Sequence, residues 1–139
     1  ASPQDRHALH DRIVAAALLS SPAFAGDAAK GEADFKKCKS CHAITATDGT
    51  EIVKGGKTGP NLFGVIGRQI GSVADFKYGD SIVAAGADGS VWDEASLAAW
   101  MTDPGALLSE KLGEGAKSKM TFKLKTGGED VAAYLASLQ

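Results

Sequence analysis

The segment Cys38-Lys39-Ser40-Cys41-His42 decides how the rest of this 139-residue sequence is interpreted. The spacing C-x-x-C-H is the pattern by which haem is attached covalently to a polypeptide. Two thiols three positions apart at the end of a helix can reach the two vinyl groups on one edge of a porphyrin, and the histidine that follows then directs its imidazole at the iron. The motif therefore predicts one haem c, tethered through Cys38 and Cys41, with His42 as an axial ligand.

Other uses of two cysteines fit the sequence less well. A thioredoxin-like C-x-x-C would need a βαβ context, which the sequence pattern does not offer. A structural zinc site would need four protein ligands, and the sequence holds no second pair of cysteines. A disulfide between Cys38 and Cys41 stays open as geometrically feasible.

Composition limits the function classes. The chain has 15 Lys+Arg against 17 Asp+Glu, a formal net charge of -2, which is too balanced for binding nucleic acid through bulk charge. A hydrophobic content of 44% suits one globular domain. The aromatic residues are two Trp, two Tyr and five Phe. A core with so few aromatics must consist of small aliphatic side chains, or partly of a group that the sequence does not encode.

The N-terminal segment has the pattern of a secretory signal. Arg12 precedes the apolar stretch 13–19, and Ala23-Phe24-Ala25 fits small-x-small cleavage. We interpret residues 1–25 as signal-like and 26–139 as the mature domain, exported to the periplasm; a disordered tail or a retained tether are the alternatives. No apolar run reaches the roughly 18 residues of a spanning helix, so no stable membrane insertion is expected.

The mature region predicts an all-α domain with three to five helices. Helices are expected over 27–37, 80–85 and 94–102, and at the C-terminus, where Val131, Tyr134 and Leu135 fall at helical spacing. Residues 62–70 fit a short helix or an extended turn, and 43–61 and most of 105–126 fit loops. A domain with such long loops would be marginal by itself, and a large group buried at its centre would resolve that.

The second axial ligand of the iron is expected to be a methionine. Met101 lies on a predicted helix, where packing in the core is its ordinary role. Met120 lies in a loop rich in Lys and Gly, where a thioether can reach a metal without breaking a helix. We therefore favour Met120 over Met101. His/Met ligation raises the haem potential and fills both axial positions.

Further stretches, read with the C-x-x-C-H motif, resemble one family. They are Gly26-Asp-Ala-Ala-Lys-Gly31 with Phe35, Lys57-Thr-Gly-Pro-Asn-Leu62, Phe63-Gly-Val-Ile-Gly-Arg68, Asp75-Phe-Lys-Tyr-Gly79, Trp92, Thr102-Asp-Pro104, Lys119-Met-Thr-Phe122 and Asp130-Val-Ala-Ala-Tyr-Leu135. Together they resemble a class I cytochrome c, in particular the bacterial cytochrome c2 / cytochrome c550 group. The resemblance covers nearly all of 26–139 and implies helices and long loops wrapped around one covalently attached haem.

The resemblance also implies roles for single residues. Pro60 matches the position whose carbonyl accepts the N–H of the proximal imidazole. Arg68, Tyr78 and Trp92 match positions that bind the haem propionates. Phe122 matches an aromatic at the exposed haem edge. Trp100 stands where many members carry a Tyr near the Met ligand, a departure that puts the usual phenol hydrogen bond to sulfur in doubt.

Charge is segregated along the mature chain. The segments 36–57 and 117–125 are rich in Lys, whereas 75–103 holds six acids against one Lys. Because the two basic segments flank the two expected ligands, we predict that they surround the haem edge and steer it onto acidic partners. The lysines concerned are Lys36, Lys39, Lys57, Lys117, Lys119, Lys123 and Lys125.

The implied function is a monomeric periplasmic electron carrier and not an enzyme. The resemblance implies a cytochrome bc1 complex as electron donor and a photosynthetic reaction centre or cytochrome oxidase as acceptor, in photosynthesis or respiration. The alternative is a c-type haem enzyme or gas-binding sensor, which would need a labile sixth ligand.

Overall fold

The computed structural model describes residues 26–139, and these form five helices joined by long loops. The helices are α1 (Ala28–Asp34), α2 (Asp80–Gly86), α3 (Glu94–Thr102), α4 (Pro104–Leu112) and α5 (Gly128–Ala136), and a 3-10 turn (Phe35–Lys37) continues α1. The all-α prediction is therefore confirmed for this part of the chain. The signal-like segment 1–25 lies outside the described residues.

Helices α1 and α5 cross in close contact, which joins the two ends of the described chain. Gly31 of α1 lies against the backbone of Asp130 in α5, so closely that a Cβ on Gly31 would overlap the Asp130 carbonyl. One turn further on, the rings of Phe35 and Tyr134 pack with centroids 5.9 Å apart. The glycine permits the approach, and the aromatic pair fills the space beside it.

Helix α4 was not predicted, because 105–126 was expected to be mostly loop. Asp103 ends α3 in an extended conformation, and its carboxylate then accepts the N–H of Ala106 as the N-cap of α4. Pro104 occupies the first turn of α4, where its missing N–H costs nothing and its fixed φ suits a helix. The same Asp-Pro pair that stops one helix therefore starts the next.

A two-stranded antiparallel sheet lies within 43–61, which was predicted to be a loop. Strands β1 (Ile44–Thr45) and β2 (Glu51–Val53) are joined by a tight turn in which Gly49 has a φ of 91°. Strands of two and three residues are too short to give an alternating pattern, so the sequence did not reveal them. Residues 62–70 form turns, the extended alternative of the prediction.

The core draws on every helix and on the loops between them. Its buried apolar residues include Phe35, Ile44, Val65, Ile70, Ala85, Trp92, Leu97, Trp100, Met101, Leu108, Leu124, Val131 and Leu135. Within residues 26–139 no helix is long and apolar enough to cross a membrane.

Candidate functional site: a haem-binding centre

The imidazole of His42 is held by a loop that follows it in sequence by eighteen residues. Its Nδ1–H donates to the carbonyl of Pro60 at 2.8 Å. Burial lowers the pKa of His42, and the charge of Arg68 lowers it further, although the bond to Pro60 acts in the opposite direction. The neutral ring therefore carries its proton on Nδ1, and the lone pair of Nε2 is available to a metal.

A glycine-rich strap, residues 55–59, lies over the backbone of the Cys38–His42 motif. Gly56 N–H donates to the Lys39 carbonyl at 2.9 Å, and Gly59 N–H donates to the Cys41 carbonyl at 2.8 Å. A Cβ on Gly55 or Gly56 would overlap backbone atoms of the motif, and a Cβ on Gly59 would overlap the ring of His42. The strap therefore needs glycine at these positions, which the sequence analysis did not single out.

The two thiols lie at the end of the helical turn that follows α1. Cys38 is half-buried and Cys41 is exposed, and both are free of a disulfide. Burial is the main cause that raises the pKa of Cys38 to about 11. The His42 amide N–H donates to the Cys38 carbonyl at 3.0 Å, which keeps the motif in one compact turn. Two thiols and one imidazole are thus presented from a five-residue segment.

Arg68 and Tyr78 are two polar side chains that each keep N–H or O–H groups free to donate hydrogen bonds. Arg68 donates from Nη1 to the carbonyls of Asn61 at 3.1 Å and Phe63 at 3.4 Å. Tyr78 accepts the N–H of Val73 through its hydroxyl oxygen at 3.0 Å, so its own O–H remains free to donate. Burial lowers the pKa of Arg68, yet the guanidinium stays charged at any physiological pH. The pair offers donors suited to carboxylates.

Trp92 and Trp100 pack against each other in the core. Their ring centroids lie 5.5 Å apart in an edge-to-face arrangement, and both side chains are buried. The structure thus places Trp100 beside Trp92, in helix α3.

Met120 lies in the loop between α4 and α5, and that loop is anchored on both sides. Before it, Lys117 N–H donates to the Ser81 hydroxyl at 2.9 Å, which ties the loop to α2. After it, Leu124 N–H donates to the Met101 carbonyl at 2.7 Å, which ties the loop to α3. Ser118 closes a local turn by accepting the N–H of Met120 at 3.0 Å and donating to its carbonyl at 2.8 Å. The thioether is therefore presented by a fixed loop.

Met101 has a different environment. Its side chain is 6% exposed and belongs to the core of α3, whereas Met120 is half-buried at the edge of the core. Met101 thus fits the role of a packing residue.

Similar proteins come from one group. The cytochrome c2 of Rhodobacter capsulatus is 64% identical over 126 residues, covering 90% of this chain and 92% of that protein. The cytochrome c-551 of Roseobacter denitrificans is 56% identical over 128 residues, with 91% of each chain covered. A solved structure of the Rhodobacter capsulatus cytochrome c2 gives a TM-score of 0.80 at 65% identity, covering 81% of this chain and 97% of that one. A scan of family models gave no match.

The chain belongs to the class I cytochromes c, in the cytochrome c2 / c-550 group. It is an electron-transfer cytochrome with one haem c, bound covalently through Cys38 and Cys41. The residues present fit that group, because the thiols are unpaired and the neutral imidazole keeps Nε2 free. The Gly59 backbone, packed on the ring, fixes its plane.

The predicted docking lysines of this cytochrome are all exposed. They are Lys36, Lys39, Lys57, Lys117, Lys119, Lys123 and Lys125. Lys123 lies 3.5 Å from the carboxylate of Asp103, so part of its charge is balanced within the protein, which the charge count along the chain did not reveal. Phe122, between the last lysines, is 43% exposed, which is unusual for a large aromatic side chain.

Other residues of the site were missed by the sequence analysis. The strap glycines and Asn61 were quoted only as parts of matching stretches or loops, and Ser118 was not considered. A single glycine or serine in a loop has no pattern that marks a close approach or a local turn. Only the folded backbone identifies their partners.

Proposed function

We propose that this cytochrome carries single electrons through the periplasm, with His42 and Met120 as the two axial ligands of the haem iron. When bound, the haem supplies a one-electron Fe(III)/Fe(II) couple. The observation that carries the proposal is the contrast between the two methionines. Met101 is packed in the core, whereas Met120 lies half-buried in a loop fixed to α2 and α3.

Backbone groups and a few side chains hold the proposed ligands in place. Pro60 and Gly59 hold the imidazole of His42, and the anchored loop holds the thioether of Met120. Arg68 and Tyr78 supply donors for the propionates, whose charge would otherwise be costly to bury. A site with two protein ligands undergoes little rearrangement on electron transfer and leaves no position for a substrate, which favours a carrier over an enzyme.

The proposed docking surface consists of the exposed lysines and Phe122. Lys117, Lys119 and Lys125 belong to the Met120 loop, and Lys36 and Lys39 flank the first cysteine. An acidic partner would be attracted to this surface, with a rate that falls as salt rises. The proposed donor is a cytochrome bc1 complex, and the proposed acceptor is a photosynthetic reaction centre or a cytochrome oxidase.

A matched pair of substitutions tests the ligand assignment. Met120→Leu and Met101→Leu both remove a thioether and conserve volume, so Met101→Leu should cost less than about 1.5 kcal/mol, whereas Met120→Leu should also lose the stability that the sulfur–iron bond contributes. Met120→Leu should abolish the sulfur–iron band in the near infrared, lower the potential and let the ferrous protein bind carbon monoxide. Met101→Leu should change none of the three.

The opposite pattern would assign the ligand to Met101. Absence of the band from the unmodified oxidised protein would exclude methionine ligation. Rapid carbon monoxide binding by the unmodified ferrous protein would instead favour the haem enzyme or gas sensor, because it would reveal a labile sixth ligand.

A further inference from the structure

Asn61 joins the chain segment that carries His42 to the segment that carries Pro60. Its Oδ1 accepts the N–H of Thr45 at 2.9 Å, and its Nδ2 donates to the carbonyl of Thr45 at 2.9 Å. The same Oδ1 accepts the N–H of Phe63 at 3.1 Å. These partners fix which end of the amide is oxygen, since a backbone N–H can only donate and a carbonyl can only accept.

The backbone of Asn61 shares a rigid plane with the carbonyl that binds the imidazole. The carbonyl carbon of Pro60 is bonded to the nitrogen of Asn61, and the peptide unit between them is planar. The carbonyl of Asn61 is fixed in turn by Arg68 Nη1 at 3.1 Å. Asn61 is thus held through its side chain on one side and its carbonyl on the other, so the direction of the Pro60 carbonyl follows from the placement of Asn61.

The two segments, residues 42–45 and 60–62, are connected by three successive sets of hydrogen bonds. They run from His42 Nδ1 to the Pro60 carbonyl at 2.8 Å, from Leu62 N–H to the Ala43 carbonyl at 3.2 Å, and between the Asn61 amide and both backbone groups of Thr45. In the third set, the planar side-chain amide of Asn61 both donates and accepts a hydrogen bond. It resists both sliding and rotation of one segment against the other.

We propose that Asn61 is a positioning residue for His42. Its side chain fixes the direction of the Pro60 carbonyl and, through that hydrogen bond, the orientation and basicity of the imidazole. The inference rests on the proposed function, in which Nε2 of His42 is a ligand of the iron. A well-aligned bond at Nδ1 increases the electron density at Nε2, so a residue that aligns it tunes the metal without touching it.

A purely structural role for Asn61 would have a different signature. Loss of its hydrogen bonds would then lower the free energy of unfolding and leave the imidazole unchanged. Ser96 provides the matched control, because its hydroxyl accepts the N–H of Asp93 at 3.0 Å and donates to the Asp93 carbonyl at 3.3 Å. Those bonds cap α3 and include neither segment of the His42 site.

The test uses the full-length ferrous holoprotein and proton NMR. The measured quantities are the chemical shift of the His42 Nδ1 proton and its rate of exchange with water, in wild type, Asn61→Ala, Asn61→Asp and Ser96→Ala. Asn61→Ala should move the resonance upfield and speed exchange about tenfold, as alignment of the bond is lost. Asn61→Asp keeps both acceptor contacts and loses the donor, so its values should lie between those of wild type and Asn61→Ala.

Ser96→Ala should lower stability and leave both quantities within about twofold of wild type. The proposal would be overturned if the His42 Nδ1 proton exchanged no faster in Asn61→Ala than in Ser96→Ala, when the two variants are compared at equal free energy of unfolding. If Asn61→Ala does not fold, Asn61→Asp decides by the same comparison. If His42 is not a ligand of the iron, the wild-type protein already shows it, because the His42 resonances then lack the large ring-current shift of a haem ligand. Failure of the proposed function is therefore distinguished from failure of the Asn61 proposal.

Discussion

Replacing Gly59 by alanine should disturb the imidazole of His42 directly, because the methyl group would be placed against the ring. A Cβ at this position would overlap Cε1 of His42 and would lie 2.7 Å from both Nδ1 and Nε2, whereas ordinary contacts begin at 3.4 Å. The ring or the strap must therefore move by about 1 Å, a displacement large on the scale of packing contacts. Movement of the ring would also stretch its 2.8 Å bond to Pro60.

The expected loss can be estimated from these two effects. Overpacking costs about 1–3 kcal/mol, and the weakened hydrogen bond adds about 1 kcal/mol. Gly59→Ala should therefore lower the free energy of unfolding by about 2–4 kcal/mol. Gly105 is the matched control: a Cβ there would meet only the Asp103 carboxylate at 3.7 Å, so Gly105→Ala, in the first turn of α4, should stabilise by about 0.4–1 kcal/mol.

Guanidinium unfolding of the oxidised holoprotein, followed by circular dichroism, measures both changes. The Nδ1 proton resonance of His42 reports whether the ring has moved. The reasoning would be refuted by a Gly59→Ala protein within about 0.5 kcal/mol of wild type whose His42 resonance is unchanged. The strap would then have enough freedom to accept a methyl group, and its contact with the ring would not fix the imidazole.

Three other predictions follow from the same contacts. Gly31→Ala should lower the free energy of unfolding by about 1–3 kcal/mol in chemical denaturation. Alanine has the better helix propensity, but its Cβ would overlap the Asp130 carbonyl. A stability at or above wild type would show that α1 and α5 can separate at little cost. Hydrogen bonds from the N–H and hydroxyl of Ser96 hold the pKa of the Asp93 carboxyl below its ordinary 3.8. The stability that this carboxylate contributes is therefore complete above pH 3.8, and it is lost as the pH falls through the lower pKa of the folded state. Asp93→Asn, which still caps α3, should flatten the loss of stability measured between about pH 4 and pH 2, and an unchanged acid slope would contradict this. Lys119→Gln should slow the low-salt reaction with an acidic redox partner more than Lys123→Gln, because Asp103 already balances Lys123; equal effects in stopped-flow kinetics would argue against this balance.

The covalent chemistry and the helical class could be predicted from short-range patterns. C-x-x-C-H places the thiols and the imidazole within five residues, so their proximity does not depend on the fold. The N-caps of α1 and α3 also depend on local spacing, because Asp27 and Asp93 bond to N–H groups two or three residues away. Helix α4 and the small sheet were missed, since 105–126 was expected to be mostly loop and the strands are too short to alternate.

By itself, the sequence determined the attachment of haem, the helical fold class and the candidates for the second ligand, because each depends on residue type and on spacing within a few positions. The tertiary structure decided which groups surround those residues. Gly59 against the ring of His42, Asn61 against Thr45, and Lys123 beside Asp103 are contacts between segments far apart in the chain. Such contacts arise from the path of the folded backbone, for which the types of the individual residues provide no local signal.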